Sequence, residues 1–512
     1  MTAELSPAAL ADYVAEKSIA ELQAALVAGQ VTTRQLVLGY LQRILTIDWA
    51  GPELRSVIEV NPDALVLADA LDAERAAQGP RSPLHGIPIL LKDNIDTADR
   101  MLTTAGSLAL LDSRPTQDAT VARQLRAAGA LILGKTNLSE WANFRSSQSI
   151  SGWSARGGQT RNAYKPNYNP SGSSSGSGVA AAASLAAATV GTETDGSIVS
   201  PANVNGVVGL KPTLGLTSRA GVIPIAHSQD TVGPLTRTVA DAALLLGAMT
   251  GVDVRDEATA ASAGHFHRDY SQFLDRHALR EARIGVLRAV YTGYHAETDQ
   301  LFEVALDALR QAGATLIDPA DLPTAEKIKA RDGEMKVLLY EIKYDMAAYL
   351  ATRALGDQQP GLPVPRTLAD LIAFNTAYAD RELPLFGQEL FELAEGLDLR
   401  AADYQAIVAT NRRLAGPEGI DAALAQHNLA ALVAPTGAPA WAIGPKQLDK
   451  FLGSCSTPPA LAGYPHITVP MGYVEGLPVG LSFLGGAWSE PTLIRLAYAY
   501  EQATQIRQIP TW

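Results

Sequence analysis

The stretch from Asn169 to Thr213 reads NPSGSSSGSGVAAAASLAAATVGTETDGSIVSPANVNGVVGLKPT. Three glycines and five serines crowd into Ser171 to Gly178, thirteen small or apolar residues follow, and a second glycine-flanked serine arrives in Thr194-Asp195-Gly196-Ser197. Glycine- and serine-rich runs commonly serve as flexible linkers. A linker has no reason to continue directly into a buried segment and a second serine turn. Two serine-bearing turns joined by a buried helix, expected over Val179 to Thr189, point to a catalytic constellation. A linker and an anion-binding loop stay open as alternatives on the residues alone.

Two further motifs flank this stretch. Leu90-Leu91-Lys92-Asp93-Asn94 ends an apolar run on a lysine, and KTNLSEWANFR with SISGWSARGGQTRN spans Lys135 to Asn162. In this order the three motifs closely resemble the amidase signature hydrolases, and the GTETDGSI wording is most similar to the bacterial peptide amidases. The resemblance is densest from about 86 to 239, weak from about 255 to 425, and returns over 460–504. It implies that Ser197 forms an acyl-enzyme and that backbone N–H groups of Thr194, Asp195, Gly196 and Ser197 form the oxyanion hole. It further implies that Ser173, after a cis peptide bond, relays the proton to Lys92. The substrate implied is a small-molecule or short-peptide amide, most closely a C-terminal peptide amide that loses ammonia to water. No cofactor, metal, nucleic acid, membrane or obligatory protein partner is expected.

Elementary chemistry supports parts of this. Amide hydrolysis needs a nucleophile, a base, oxyanion donors and an acid for the departing amine. Gly196 lets backbone approach a substrate closely, and a tight turn can aim several N–H groups at one point. Lys92 ends an apolar strand, where burial favours the neutral amine that can accept a proton. Read without the resemblance, Lys92 is a lysine paired with Asp93 or Asp96, and Ser173 is one loop serine among several. Two departures matter, Glu193 and Asp195, where most of the family has aspartate and glycine. Asp195 either accepts an N–H of substrate or ties down Arg219.

Overall composition narrows the class. With 47% hydrophobic and 18% charged residues the chain is globular, and a net charge of −12 argues against nucleic acid. A lone cysteine, Cys455, excludes an internal disulfide framework. The start, MTAELSPAALADYVAEKS, lacks a basic n-region, and Val179 to Val190 is too short to span a bilayer. The expectation is a cytoplasmic protein, unless a leader has been trimmed.

Capping boxes at Ser18/Glu21 and Thr32/Gln35 place helices in residues 1–60. Strands are expected at Ile87–Leu91 and Ala130–Leu133, with a helix over Thr120–Ala128 between them. That alternation predicts an α/β fold: a large mixed sheet covered on both faces by helices. Residues 61–254 form the catalytic core of one domain spanning 1–512, and 255–425 a mostly helical insertion. Within it, Asp299–Ala312 is amphipathic and Leu355–Pro365 is a break. Residues 426–512 return to the core, with strands at Leu429–Val433 and Ile467–Pro470 and a helix over Glu490–Thr504.

Other readings compete for the same residues. Gly172-Ser173-Ser174-Ser175-Gly176 is a literal G-x-S-x-G, which would make Ser174 the nucleophile of an α/β-hydrolase. That elbow must follow a strand, and Asn167 to Pro170 reads as loop. A phosphate loop lacks its lysine in register, since Lys211 stands before Pro212. The pair His265/His267 reads as surface rather than metal site. An amidotransferase subunit or a broad aryl/alkyl amide or carbamate hydrolase would use the same chemistry. Trp141, Phe144 and Trp153 are candidates to line an apolar acyl pocket, and equally candidates for core.

Overall fold

A computed structural model describes residues 5–355, 364–444 and 448–512. Three capped helices lead in: α1 (Pro7–Val14), α2 (Ile19–Val27) and α3 (Thr33–Arg43). Both expected capping boxes close reciprocally, Ser18 with Glu21 and Thr32 with Gln35. Behind them lies one eleven-stranded mixed sheet.

In chain order its strands are β1 (Val57–Val60), β2 (Pro88–Lys92), β3 (Leu131–Thr136), β4 (Ala188–Glu193), β5 (Val208–Lys211) and β6 (Thr231–Thr236). Then come β7 (Arg283–Val286), β8 (Thr315–Ile317), β9 (Ala431–Pro435), β10 (His466–Val474) and β11 (Leu477–Leu484). Across the sheet they run β1-β3-β2-β4-β6-β5-β10-β11-β9-β7-β8. The centre strands β2, β4, β5, β9 and β11 are buried at every position, which requires helices on both faces. β2 runs parallel to both β3 and β4, while β4 is antiparallel to β6.

The stretch between the two serine turns folds differently from its sequence reading. Helix α4 (Ser175–Ala182) begins inside the serine run, the chain turns through Ser184 at φ 53°, and β4 starts at Ala188. A run of alanine has no periodicity that separates a buried helix from a buried strand. Thr189, Val190 and Thr192, β-branched at the end of that run, favour the strand.

The region 255–425 carries α5 (Ala296–Gln311), α6 (Gly333–Ala351) and α7 (Ala401–Ala415), but also β7 and β8. Those strands extend the same sheet, β7 pairing in parallel with β9. The expected break at Leu355–Pro365 lies largely outside the described residues. The closing helix α8 spans Glu490–Thr504 as its sequence indicates. Among the described residues no helix is long and apolar enough to cross a membrane.

Candidate active site

Two parallel neighbours bring the site together. The register Ile89↔Ala188, Leu90↔Thr189, Leu91↔Val190 makes β2 and β4 end side by side. Lys92, the last residue of β2, is fully buried there. Its Nζ lies 2.8 Å from Ser173 Oγ, 2.8 Å from Thr192 Oγ1 and 3.3 Å from Thr192 O. Asn94 Nδ2 donates to the same Thr192 hydroxyl at 2.9 Å. Burial brings the Lys92 amine down to about 7, against the charges of Asp230 and Glu193, which favour the ammonium. The three partners suit a neutral amine. Two N–H groups donate to the Thr192 oxygens, and the lone pair accepts the Ser173 O–H.

Neither expected carboxylate pairs with this lysine. Asp93 accepts from Thr104 Oγ1 at 2.5 Å and faces Arg156 at 3.3 Å. Asp96 accepts from Tyr349 at 2.8 Å and pairs with Arg353 at 3.2 Å. The salt-bridge reading of Lys92 therefore fails.

The Gly172–Ser173 peptide bond is cis. A Cβ on Gly172 would come within 2.2 Å of Ser139 Oγ, so only glycine fits this approach. The two serine turns are tied directly, since Ser174 N–H donates to Ser197 O at 3.1 Å. Ser174 itself is occupied. Its hydroxyl donates to Thr192 O at 2.9 Å and accepts Thr192 N–H at 3.2 Å. The segment before Ser171 is loop, so the nucleophile-elbow reading lacks both its strand and a free hydroxyl.

After β4 the chain turns sharply. Gly196 has φ +79°, and a Cβ there would stand 3.0 Å from both Ser200 Oγ and Ser456 Oγ. Among the described residues, the backbone N–H groups of Thr194, Asp195, Gly196 and Ser197 donate to no protein acceptor. Four free donors in a largely buried turn form a ready site for a developing oxyanion. Ser197 is 9% exposed, against 1% for Ser173 and 0% for Lys92. Ser197 is thus the most exposed of the three.

The turn is braced from three sides, by Glu193, which the sequence singles out, and by Asp230 and Thr457, which sequence reasoning missed. Glu193 accepts Ile198 N–H at 2.7 Å and Val199 N–H at 3.0 Å. Asp230 accepts Thr194 Oγ1–H at 2.6 Å while holding Ile225 N–H and Ala226 N–H, each at 2.9 Å. Burial raises both carboxyls, Asp230 to about 6. Thr457 donates to Asp195 Oδ2 at 2.6 Å. Arg219 instead pairs with Asp256, so it is not the partner of Asp195. Asp230 and Thr457 lie 36 and 262 residues from the turn residues they hold, and no local motif announces them.

Trp141, Phe144 and Trp153 are all buried. Trp141 and Phe144 lie in a cluster with Leu338 and Phe391, and the Trp141 ring meets Phe391 edge-on at 5.8 Å. Trp153 meets Phe386 edge-on at 5.3 Å. Packing accounts for each of them. His85 binds Leu71 O at 2.9 Å and His227 binds Asp345 at 2.8 Å. His265 stacks on Trp488, while His267 packs against Tyr270 and Phe273. A cavity of about 350 Å³ opens beyond Asp230, lined by Arg219, His227 and Tyr349 among others, and does not include Ser197.

Comparison with known proteins agrees with this fold. The amidase family model matches residues 35–494. A structure of the peptide amidase of Stenotrophomonas maltophilia is 54% identical, with a TM-score of 0.91 over 97% of this chain and 99% of its own. A probable amidase of Arabidopsis thaliana is 42% identical over 97% of this chain and 92% of its length. A glutamyl-tRNA(Gln) amidotransferase subunit of Halorhodospira halophila is 36% identical over 97% of this chain and 99% of its length. With this fold, and a family match across most of its length, the chain belongs to the amidase signature family and is an amide-hydrolysing enzyme.

Proposed function

We propose that this amidase releases ammonia from short peptides ending in a carboxamide, through an acyl-enzyme on Ser197. The observation that carries the mechanism is the 2.8 Å contact between Lys92 Nζ and Ser173 Oγ at a fully buried amine. The substrate carbonyl oxygen enters the turn of free N–H groups. Ser197 Oγ attacks the carbonyl carbon, its proton passes to Ser173 Oγ, and the Ser173 proton passes to Lys92. Collapse of the tetrahedral adduct returns a proton by the same route to the leaving nitrogen, and ammonia departs. Water then repeats the sequence on the ester and frees the acid.

The peptide-amide specificity is supported by the likeness to peptide amidase structures at 53% and 54% identity. The acidic net charge supports independence from nucleic acid, and every step uses groups of this one chain without metal or cofactor. A mass-spectrometric screen of amidated dipeptides, simple alkyl and aryl amides, carbamates and glutamine tests the substrate. Ammonia from amidated dipeptides with internal peptide bonds intact supports the proposal. Ammonia from glutamine alone would favour the amidotransferase reading, which the 36% identical amidotransferase relative motivates. Robust endopeptidase products would contradict both.

A further inference from the structure

A second cluster of chemistry-bearing side chains lies outside the catalytic residues. Glu341 and Asp345 stand four residues apart on α6, so their carboxylates share one face of that helix. Opposite them, in the loop leading into β6, stands His227. Its Nδ1 lies 2.8 Å and 3.1 Å from the two Asp345 oxygens and 3.5 Å from Glu341 Oε2. One ring nitrogen is thus faced by two carboxylates.

The surrounding bonds leave these atoms available to a further partner. Tyr404, on α7, donates its O–H to Glu341 Oε1 at 2.5 Å, and its oxygen lies 3.3 Å from His227 Nε2. An Nε2–H donating to that phenol selects the tautomer with its lone pair on Nδ1. Glu341 Oε2 accepts Ser228 N–H at 2.9 Å, and Asp345 Oδ2 accepts His227 N–H at 3.0 Å. Each carboxylate oxygen has a second lone pair to give. Nδ1 and one oxygen from each carboxylate all lie within 4.8 Å of one another.

Charge and spacing both favour a cation here. The two carboxylates bring two negative charges, and a protonated imidazole returns only one. Among the described residues neither carboxylate has a lysine or arginine as an ion-pair partner. Arg219 donates to His227 O, but its charge is taken up by Asp256. Glu341 is 1% exposed, and a buried charge is costly unless it is paired. Tetrahedral zinc, with bonds of about 2.0–2.2 Å, holds its ligand atoms about 3.3 Å apart. The 2.8 Å and 3.5 Å separations at Nδ1 bracket that value. A mixed nitrogen and oxygen donor set suits zinc and its neighbours, whereas calcium and magnesium take oxygen. The His227 side chain is 57% exposed, and the cavity of about 350 Å³ that it lines with Asp345 can bring water to a fourth position.

We propose that His227 Nδ1, Glu341 and Asp345 bind a divalent transition-metal ion of the zinc class, which fastens the loop before β6 to α6. The ion takes no part in acyl transfer. The loop it fastens carries Asp230, which holds Thr194 of the oxyanion turn. This goes beyond the substrate reading, and its test measures binding instead of turnover, so the two stand or fall separately.

Chelator-treated enzyme is titrated with Zn²⁺ by calorimetry, with thermal melts alongside. The wild type is expected to bind one equivalent at this site and to melt at a higher Tm with the ion than without it. His227→Ala is expected to weaken that binding by roughly 100-fold or more, beyond the cost of losing an outer-shell partner, and to abolish the rise in Tm. Its exposed position keeps folding out of question. Asp345→Asn is expected to weaken binding as well, whereas the double variant His265→Ala/His267→Ala keeps the equivalent. Binding that survives both His227→Ala and Asp345→Asn, or that is lost with His265 and His267, would overturn the inference. Wild-type enzyme with no saturable Zn²⁺ binding would leave the cluster an ion pair held by a proton and overturn it too. Tighter binding of Ca²⁺ than of Zn²⁺ would contradict the nitrogen ligand.

Discussion

Lys92 and Thr192 occupy adjacent parallel strands whose register brings Nζ and Oγ1 to 2.8 Å, and Thr192 thereby takes up the N–H groups of the amine. With those directions filled, the lone pair is left for Ser173. Thr192→Val removes the hydroxyl and leaves Asn94 Nδ2 and one Lys92 N–H without an acceptor. Acylation is expected to slow by roughly 10- to 100-fold, with little change in KM, because one buried hydrogen bond that orients the base is gone. Stopped-flow measurement of acyl-enzyme formation checks this. A variant with wild-type acylation would remove Thr192 from the orienting role.

The two serines that sequence patterns offer as nucleophiles are separated by their contacts. Ser197→Ala is expected to abolish acyl transfer in a folded protein. Ser174→Ala loses the bridge to both backbone groups of Thr192, and a cost of about 1–3 kcal/mol in stability follows. Per folded molecule it should keep much of its activity. Urea melts paired with active-site titration distinguish the two, and an inactive Ser174→Ala beside an active Ser197→Ala would reverse the assignment.

Much of the sheet was legible because its strands and helices carry strong local signals: the capping boxes, the apolar run ending at Lys92, the helix at 490–504. The alanine run was not, since a segment buried on all sides has neither helical nor strand periodicity. Burial alone also fails to single out the base. Lys135 ends a similar apolar run on the neighbouring strand and is equally buried, yet its Nζ donates to Ile95 O at 2.7 Å and Thr103 Oγ1 at 2.8 Å. Only the pairing of strands shows which lysine meets Ser173. Asp230 and Thr457 reach the turn from distant segments, so no spacing in the sequence could have named them.

Gly196 is the pivot of the oxyanion turn. An alanine there would adopt φ +79°, at a cost of about 1 kcal/mol or more, and press its methyl on Ser200 and Ser456. The neighbouring N–H groups would be displaced from a common focus. Gly196→Ala is expected to lose roughly 100-fold or more in kcat, with near-native circular dichroism. Retention of kcat would show that the turn is not the oxyanion site.

The neutral amine carries a stability signature. Lys92 binds its proton near pH 7 when folded and near 10.5 when unfolded. Above 10.5 it is neutral in both states. As pH falls towards 7 the unfolded chain takes up a proton that the folded chain refuses, and stability declines by about 1.4 kcal/mol per unit. Below 7 both states are protonated and the decline stops. Lys92→Met lacks this term, so wild type is expected to gain stability relative to the variant between pH 7 and pH 10. Urea midpoints at several pH values measure the slope, and parallel curves would contradict a depressed lysine.

The pH profile of single-turnover acylation tests the central claim most directly. If Lys92 is the base, the rate rises with pH through a single ionisation near 7 and then levels off. The limb persists in His85→Ala and His227→Ala, while Lys92→Arg, whose guanidinium cannot give up its proton, shows no acylation at any pH. A limb that disappears with either histidine, or an active Lys92→Arg enzyme, would place the base elsewhere.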